Sequence, residues 1–134
     1  MSELCKVLIV DDEYIMRQGI KHLINWDKEG FLIVGEATNG EEALLMLEKI
    51  KPQIVVMDVV MPVMDGVELT KAVHEKYPEI QIIVLSGFDD FMYVKETLKN
   101  GAMDYILKPT LTAEVFLEAL KKAAENIPGF NFTG

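Results

Sequence analysis

The sequence is short of several things, and each shortage closes off a class of protein. It has a single cysteine, Cys5, so no disulfide can form within the chain, which fits a reducing cytoplasm. It has no apolar run approaching the ~18 residues that a membrane-spanning helix needs. The opening MSELCKVLIV lacks the cationic start and small-residue cleavage site of a secretory signal. Positive charge is scarce: 13 Lys and Arg stand against 22 Asp and Glu, a net charge of −9. That balance is unsuited to gripping a nucleic-acid backbone. There is no G-x-x-x-x-G-K-[ST] loop and no G-x-G-x-x-G after the first apolar run. Asp11, Asp12 and Glu13 stand there instead, and they would repel a nucleotide phosphate that came without a metal. His22 and His74 fall in helical stretches and form no zinc-type cluster with Cys5.

What is present is alternation. The 134 residues are 50% hydrophobic with a mean hydropathy of +0.18, enough for one domain with a sizeable core. Short β-branched runs recur at Lys6–Val10, Phe31–Ala37, Gln53–Asp58, Gln81–Ser86 and Met103–Leu107. Stretches of helical period lie between and after them, at Tyr14–Asn25, Gly40–Ile50, Gly66–Tyr77, Asp90–Asn100 and Thr112–Asn126. Five strands alternating with five helices predict repeated βαβ units, hence an α/β fold with a parallel sheet covered on both faces. The punctuation agrees. Asn39-Gly40 opens the second helix, Pro52 and Pro78 follow the ends of the second and third, Gly101 ends the fourth, and Thr112 starts the fifth. The tail from Ile127 shows no pattern and reads as a linker stub. Its Asn131-Phe132-Thr133 sequon carries no weight in a chain without a signal peptide.

Parallel α/β sheets carry their sites at the carboxyl ends of their strands. Those ends hold Asp11 and Asp12 after the first strand, Asp58 after the third, Ser86 after the fourth and Lys108-Pro109 after the fifth. Each has an ordinary reading on its own. Asp11, Asp12 or Glu13 could cap the first helix, Ser86-Gly87 could be a simple turn, and Lys108 could be surface charge. Asp58 is harder to dismiss, because it ends the most apolar strand, where a carboxylate is costly unless its charge is stabilised. The conjunction decides. Two like charges ~4 Å apart repel by about 4 kcal/mol at an effective dielectric of 20. Three clustered carboxylates therefore take up a proton or hold a cation, and hard oxygen ligands favour Mg²⁺. A magnesium ion beside an aspartate, a hydroxyl and an ammonium suits phosphoryl transfer to the aspartate, with metal and lysine neutralising the transferring group.

These residues resemble the receiver domains of two-component response regulators. The resemblance rests on Asp11-Asp12 in VLIVDDE, on VVMDVVMPVMDG from Asp58 to Gly66, on Ser86-Gly87, and on YILKP ending in Lys108-Pro109. It covers about Cys5 to Glu125, and four motifs in this order are highly specific. It implies a single doubly wound, flavodoxin-like (CheY-like) domain over residues 4–126, with strand order 2-1-3-4-5 and a tail over 127–134. Asp58 would be the phosphoacceptor. Asp11, Asp12, Asp58 and the backbone carbonyl of Val60 would hold Mg²⁺. Ser86 and Lys108 would contact the phosphoryl group, Gly87 would leave room for the donor, the Lys108–Pro109 bond would be cis, and Tyr105 would be the aromatic that turns inward when Ser86 moves. The implied donor is a sensor histidine kinase. The implied output surface is the fourth helix, fifth strand and fifth helix, used by a homodimer or a partner domain. The stretches DEYIMRQGIKHLINW and SGFDDFMYVKETLKNGAMDYILKP further resemble receivers joined to AraC-type DNA-binding domains, which would put transcriptional output in a C-terminal domain beyond these residues. Such a domain is a cytoplasmic phosphoprotein that catalyses only its own phosphorylation and slow dephosphorylation.

Two other classes compete. A phosphorylation-independent interaction module would need none of the acidic pair, acceptor, hydroxyl and lysine that are all present. An aspartyl-phosphate phosphohydrolase would carry nucleophile and acid two residues apart as D-x-D after the first strand. Here that spacing falls on Asp11-Asp12-Glu13, with no inserted substrate cap.

Overall fold

A computed structural model describes residues 3–130. Five strands, β1 (Cys5–Val10), β2 (Phe31–Ala37), β3 (Ile54–Asp58), β4 (Gln81–Ser86) and β5 (Asp104–Leu107), form one sheet. It is parallel, in the order β2-β1-β3-β4-β5. Helices α1 (Tyr14–Lys21), α2 (Gly40–Ile50), α3 (Gly66–Lys76), α4 (Phe91–Lys99) and α5 (Ala113–Glu125) connect and cover it. The period-2 alternation of the strands sorts their side chains into two cores. Val7, Ile9, Ile54, Val56, Ile83 and Leu85 meet Ile20 of α1 and Phe116 and Leu120 of α5. Leu8, Val10, Val55, Met57, Ile82 and Val84 meet Ala43 and Leu47 of α2 and Leu69 and Val73 of α3. Both faces are dry over the central strands β3 and β4 and most of β1, which is why those strands are almost wholly apolar. Cys5 lies inside the first core, and burial pushes its thiol up to about 12, so it is chemically inert there.

Local chemistry sets most boundaries. Asn39 accepts a hydrogen bond from the Glu42 N–H at 2.9 Å and caps α2. Asp65 and Glu68 form a reciprocal capping box on α3. Thr112 caps α5 through the Val115 N–H. Helix α1 departs from expectation: it stops at Lys21 instead of running to Asn25. The Trp26 indole N–H donates to the Lys21 carbonyl at 3.1 Å. Its ring then packs edge-on against Phe116, with centroids 5.5 Å apart. A long-range aromatic contact thus ends a helix whose periodicity would have carried it further. The end of the chain also departs from expectation. Ile127 is buried and Phe130 packs against the same core, so the segment after α5 is at first part of the domain. The sequon at Asn131 lies outside the described residues.

The loop from β3 to α3 is drawn tight. The Gly66 N–H donates to the Val59 carbonyl at 2.8 Å, and a Cβ on Gly66 would lie 2.8 Å from the Val59 Cα, so only glycine fits. Within this loop Val63 has φ +66°, a left-handed conformation that a β-branched residue adopts at a cost of about 1–3 kcal/mol. Its side chain is exposed and little packing depends on it. Val63→Asn should therefore stabilise the protein by about 1 kcal/mol in urea unfolding, because asparagine tolerates this region. An unchanged or lower midpoint would show that the turn carries no strain.

Candidate functional site

The sheet register places the site. Asp58 pairs with Leu85 and Ser86 with Leu107, so Asp58, Ser86 and Lys108 step outward along one edge. Asp11 and Asp12 arrive beside them from the end of β1. Ligand atoms of Asp11, Asp12 and Asp58 all lie within 4.8 Å of one another. Of the three candidates for capping α1, Asp11, Asp12 and Glu13, it is Glu13 that occupies the N-cap position, and it makes no side-chain capping bond. Asp11 Oδ1 instead accepts the Glu13 N–H at 2.9 Å, which turns the chain out of β1 and leaves the carboxylates facing the site.

Lys108 Nζ donates to Asp58 Oδ2 at 2.9 Å. Asp58 Oδ1 accepts the Val60 N–H at 3.3 Å. Burial pushes Asp58 above the usual carboxylate range, although the Lys108 hydrogen bond and charge pull the other way. Burial would lower Lys108, but the bond to Asp58 and its charge outweigh that and leave the ammonium raised. Asp11 is fully buried. Burial pushes it up to about 6, offset in part by the Glu13 N–H and reinforced by the Asp58 charge. Among the described residues, two buried side-chain oxygens lack partners, Asp11 Oδ2 and Ser86 Oγ, and in a folded protein such groups call for an explanation. The donor set is all oxygen. An orphaned carboxylate oxygen within reach of two other carboxylates fits a hard cation such as Mg²⁺, and no thiol or imidazole is there for zinc.

Of the expected residues, Asp11, Asp12, Asp58 and Lys108 come together. Ser86 sits at the next strand end with its hydroxyl unspent. Tyr105 is 44% exposed and lines a separate cavity of about 330 Å³ with Gly87, Phe88, Phe91 and Lys95. The expected cis bond is not found: Lys108–Pro109 is trans, like every peptide bond among the described residues. Trans is the lower-energy isomer by about 0.5–1 kcal/mol. A 3₁₀ turn over Lys108–Thr110 accepts Pro109 near its start, Thr110 Oγ1 donates to the Leu107 carbonyl at 2.8 Å, and Lys108 still reaches Asp58. Sequence reasoning missed Arg17. Its Nη1 donates to the Asp11 carbonyl at 2.7 Å, and its Nε pairs with Glu36 at 3.0 Å. Lys21 pairs with the same Glu36 at 2.9 Å, and this bond above all, with that of Arg17, holds Glu36 below its ordinary value. This clamp braces the end of β1. Its members lie on α1 and β2, and no local motif announces them.

A parallel 2-1-3-4-5 sheet with an acidic cluster, a strand-end aspartate and a paired lysine defines a signalling receiver. Residues 7–121 match the response regulator receiver domain family, and the chain belongs to it. It is 46% identical over 104 residues to the uncharacterized transcriptional regulatory protein YesN of Bacillus subtilis, covering 78% of this chain and 28% of that protein. It is 42% identical over 120 residues to the chemotaxis protein CheY of Thermotoga maritima, covering 90% of this chain and 98% of that one. Among solved structures, the REC domain of AraT, a response regulator from Geobacillus stearothermophilus, superposes with a TM-score of 0.83 at 39% identity, over 91% of this chain and 94% of that one. The chain spans half or less of the length of the first curated relatives it matches. No described helix is long and apolar enough to cross a membrane.

Proposed function

We propose that this receiver accepts a phosphoryl group from a sensor histidine kinase on Asp58, in a Mg²⁺-dependent reaction, and passes the change to a DNA-binding output domain through α4, β5 and α5. The observation that carries the reading is Asp58 itself. It is a buried carboxylate, paired with Lys108 at 2.9 Å and clustered with two further carboxylates. A structural aspartate has no need of such company.

A carboxylate oxygen of Asp58 attacks the phosphorus of the donor phosphohistidine. The P–N bond breaks, its electron pair leaves with the imidazole, and an acyl phosphate remains. Mg²⁺ bound by Asp11, Asp12, Asp58 and the Val60 carbonyl would supply positive charge for the transferring group. Lys108, already on Asp58 Oδ2, follows the developing charge onto a phosphoryl oxygen. The Ser86 hydroxyl, buried without a partner, gains an acceptor. The exposed side chain of Val60 is apolar and orients no attacking water, which favours a longer-lived acyl phosphate. Transcriptional output follows the AraC-like stretches of sequence and the regulators that the chain resembles. With Mg²⁺ and acetyl phosphate, wild-type protein should gain the mass of one phosphoryl group, labile to hydroxylamine and mapping to Asp58, and Asp58→Ala should gain none. Modification at Asp65, Asp89 or Asp90, or none at all, would overturn the assignment.

A further inference from the structure

We propose that the carboxylate of Asp90 is a latch that holds Ser86 in its unphosphorylated position. The inference deepens the reading above and rests on it. The Gly87 N–H donates to Asp90 Oδ2 at 2.7 Å, a short, charge-assisted bond. It closes the turn from Gly87 through the 3₁₀ segment Phe88–Asp90. Gly87 allows this close seat, since a Cβ there would lie 3.3 Å from the same oxygen.

The choice of partner is informative. Asp90 occupies the N-cap position of α4, where an aspartate ordinarily accepts from the helix's own first-turn N–H groups. Its side chain makes no such bond. The carboxylate instead reaches back to the N–H at the start of the 3₁₀ segment, as an acid at the third helical position does, and that N–H belongs to the peptide that joins Ser86 to Gly87. The bond therefore fixes that peptide, and with it the stretch of backbone from which the Ser86 side chain projects. In this arrangement Ser86 Oγ is fully buried without a hydrogen-bond partner, a position that something else must hold. A phosphoryl group on Asp58 offers the missing acceptor. To reach it, Ser86 must carry its peptide along, away from Asp90. Gly87 and Phe88 also line the cavity beside Tyr105, so release of the turn changes the space into which that ring can move. Asp90 acts through Ser86 and Gly87 and is a positioning residue.

The test compares wild type, Asp90→Ala and Asp90→Asn by NMR, first without ligand and then in a titration with beryllofluoride and Mg²⁺. Without ligand, Asp90→Ala should speed exchange of the Gly87 amide about tenfold and move the Tyr105 resonances toward their beryllofluoride-bound positions. It should also lower the half-saturating beryllofluoride concentration several-fold. Asp90→Asn keeps a neutral acceptor and should move all three readouts less, in the same direction; it serves alone if the alanine variant does not fold. A merely structural role would loosen the turn without driving Tyr105 toward the bound position. Unchanged Gly87 exchange, Tyr105 resonances that stay put, or weakened beryllofluoride binding would overturn the latch. If wild type itself ignores beryllofluoride, the proposed function fails. The ligand-free comparison still decides whether Asp90 holds the turn.

Discussion

Asp11→Asn should make the magnesium-free protein more stable at pH 7 by about 3 kcal/mol, and the addition of Mg²⁺ should close most of that gap by stabilising wild type more than the variant. Asp11 is fully buried, its Oδ2 lacks a partner, and its pKa is pushed up to about 6 from an ordinary 3.8. At about 1.36 kcal/mol per pH unit, ionising it in the folded protein costs about 3 kcal/mol. Because the folded-state value is the higher one, the cost is absent below pH 3.8, grows as pH rises through the window up to about 6, and is complete at pH 7. Wild type without metal should thus be about 1 kcal/mol more stable at pH 5 than at pH 7 on account of this group. Asp58, also raised by burial, adds in the same sense. Glu36, lowered chiefly by its bond to Lys21, acts oppositely at more acidic pH. Asparagine keeps an acceptor for the Glu13 N–H and carries no charge to bury. A cation that binds only the native state stabilises by about 2.7 kcal/mol at 100 times its dissociation constant. That gain needs the Asp11 carboxylate, so the variant should lose most of it; Asp12→Asn should lose it too. Urea unfolding at pH 5 and 7, with and without millimolar Mg²⁺, reads both effects. An Asp11→Asn protein that is less stable without metal, or that gains as much from metal as wild type, would refute the account.

Beryllofluoride with Mg²⁺, which imitates a phosphoryl group on Asp58, should perturb two separated regions strongly, Ser86–Lys95 and the surroundings of Tyr105, and α1 much less. A phosphoryl group brings about −1.5 to −2 charges and three strong acceptors. Lys108 and Ser86 are the side chains placed to meet them, and drawing Ser86 inward vacates space under the turn before α4. Tyr105, 44% exposed, lines the adjacent cavity with Gly87 and Phe88 of that turn. Burying a large apolar side chain is worth roughly 1.5–3 kcal/mol. A reversal from 1:99 to 99:1 needs about 5.5 kcal/mol, so the ring shifts the population and the phosphoryl contacts must supply the remainder. The affected surface carries exposed Phe88, Phe91, Met92 and Tyr93, a patch suited to a second copy or an output domain. Ser86→Ala should uncouple the Tyr105 region from the acceptor while Mg²⁺ binding persists. Equal shifts in all five helices, or none beyond the Asp58 loop, would defeat the mechanism.

Sequence reading reached far into the site because a parallel sheet aligns all its strand ends on one edge. Once Val10, Asp58, Ser86 and Leu107 are recognised as ends, the proximity of Asp11, Asp12, Asp58, Ser86 and Lys108 follows from topology. It reached less far wherever two elements distant in the chain had to agree. The stop of α1 at Lys21 depends on Trp26, whose own place depends on Phe116 of α5. The brace on the Asp11 carbonyl needs Arg17 and Glu36 to meet. The burial of Ile127 and Phe130 needs the α1–α5 core to exist first. A lysine and a proline after a strand do not disclose the isomer of the bond between them, and here the trans form brings Lys108 to Asp58.

By itself, then, the sequence determined the alternation of strands and helices, the two dry faces of the sheet and the identity of the charged groups at its edge. These depend on periodicity, capping and the placement of polar residues within apolar runs, which are local properties of the chain. Only the tertiary structure decided which of those groups carry strain and which are braced. Burial raises Asp11 and Asp58, Ser86 is left without a partner, and Asp90 spends its carboxylate on Gly87 rather than on its own helix. Desolvation and the choice among competing hydrogen-bond partners depend on what surrounds a group in space, and those surroundings exist only once the sheet and its helices have closed around it.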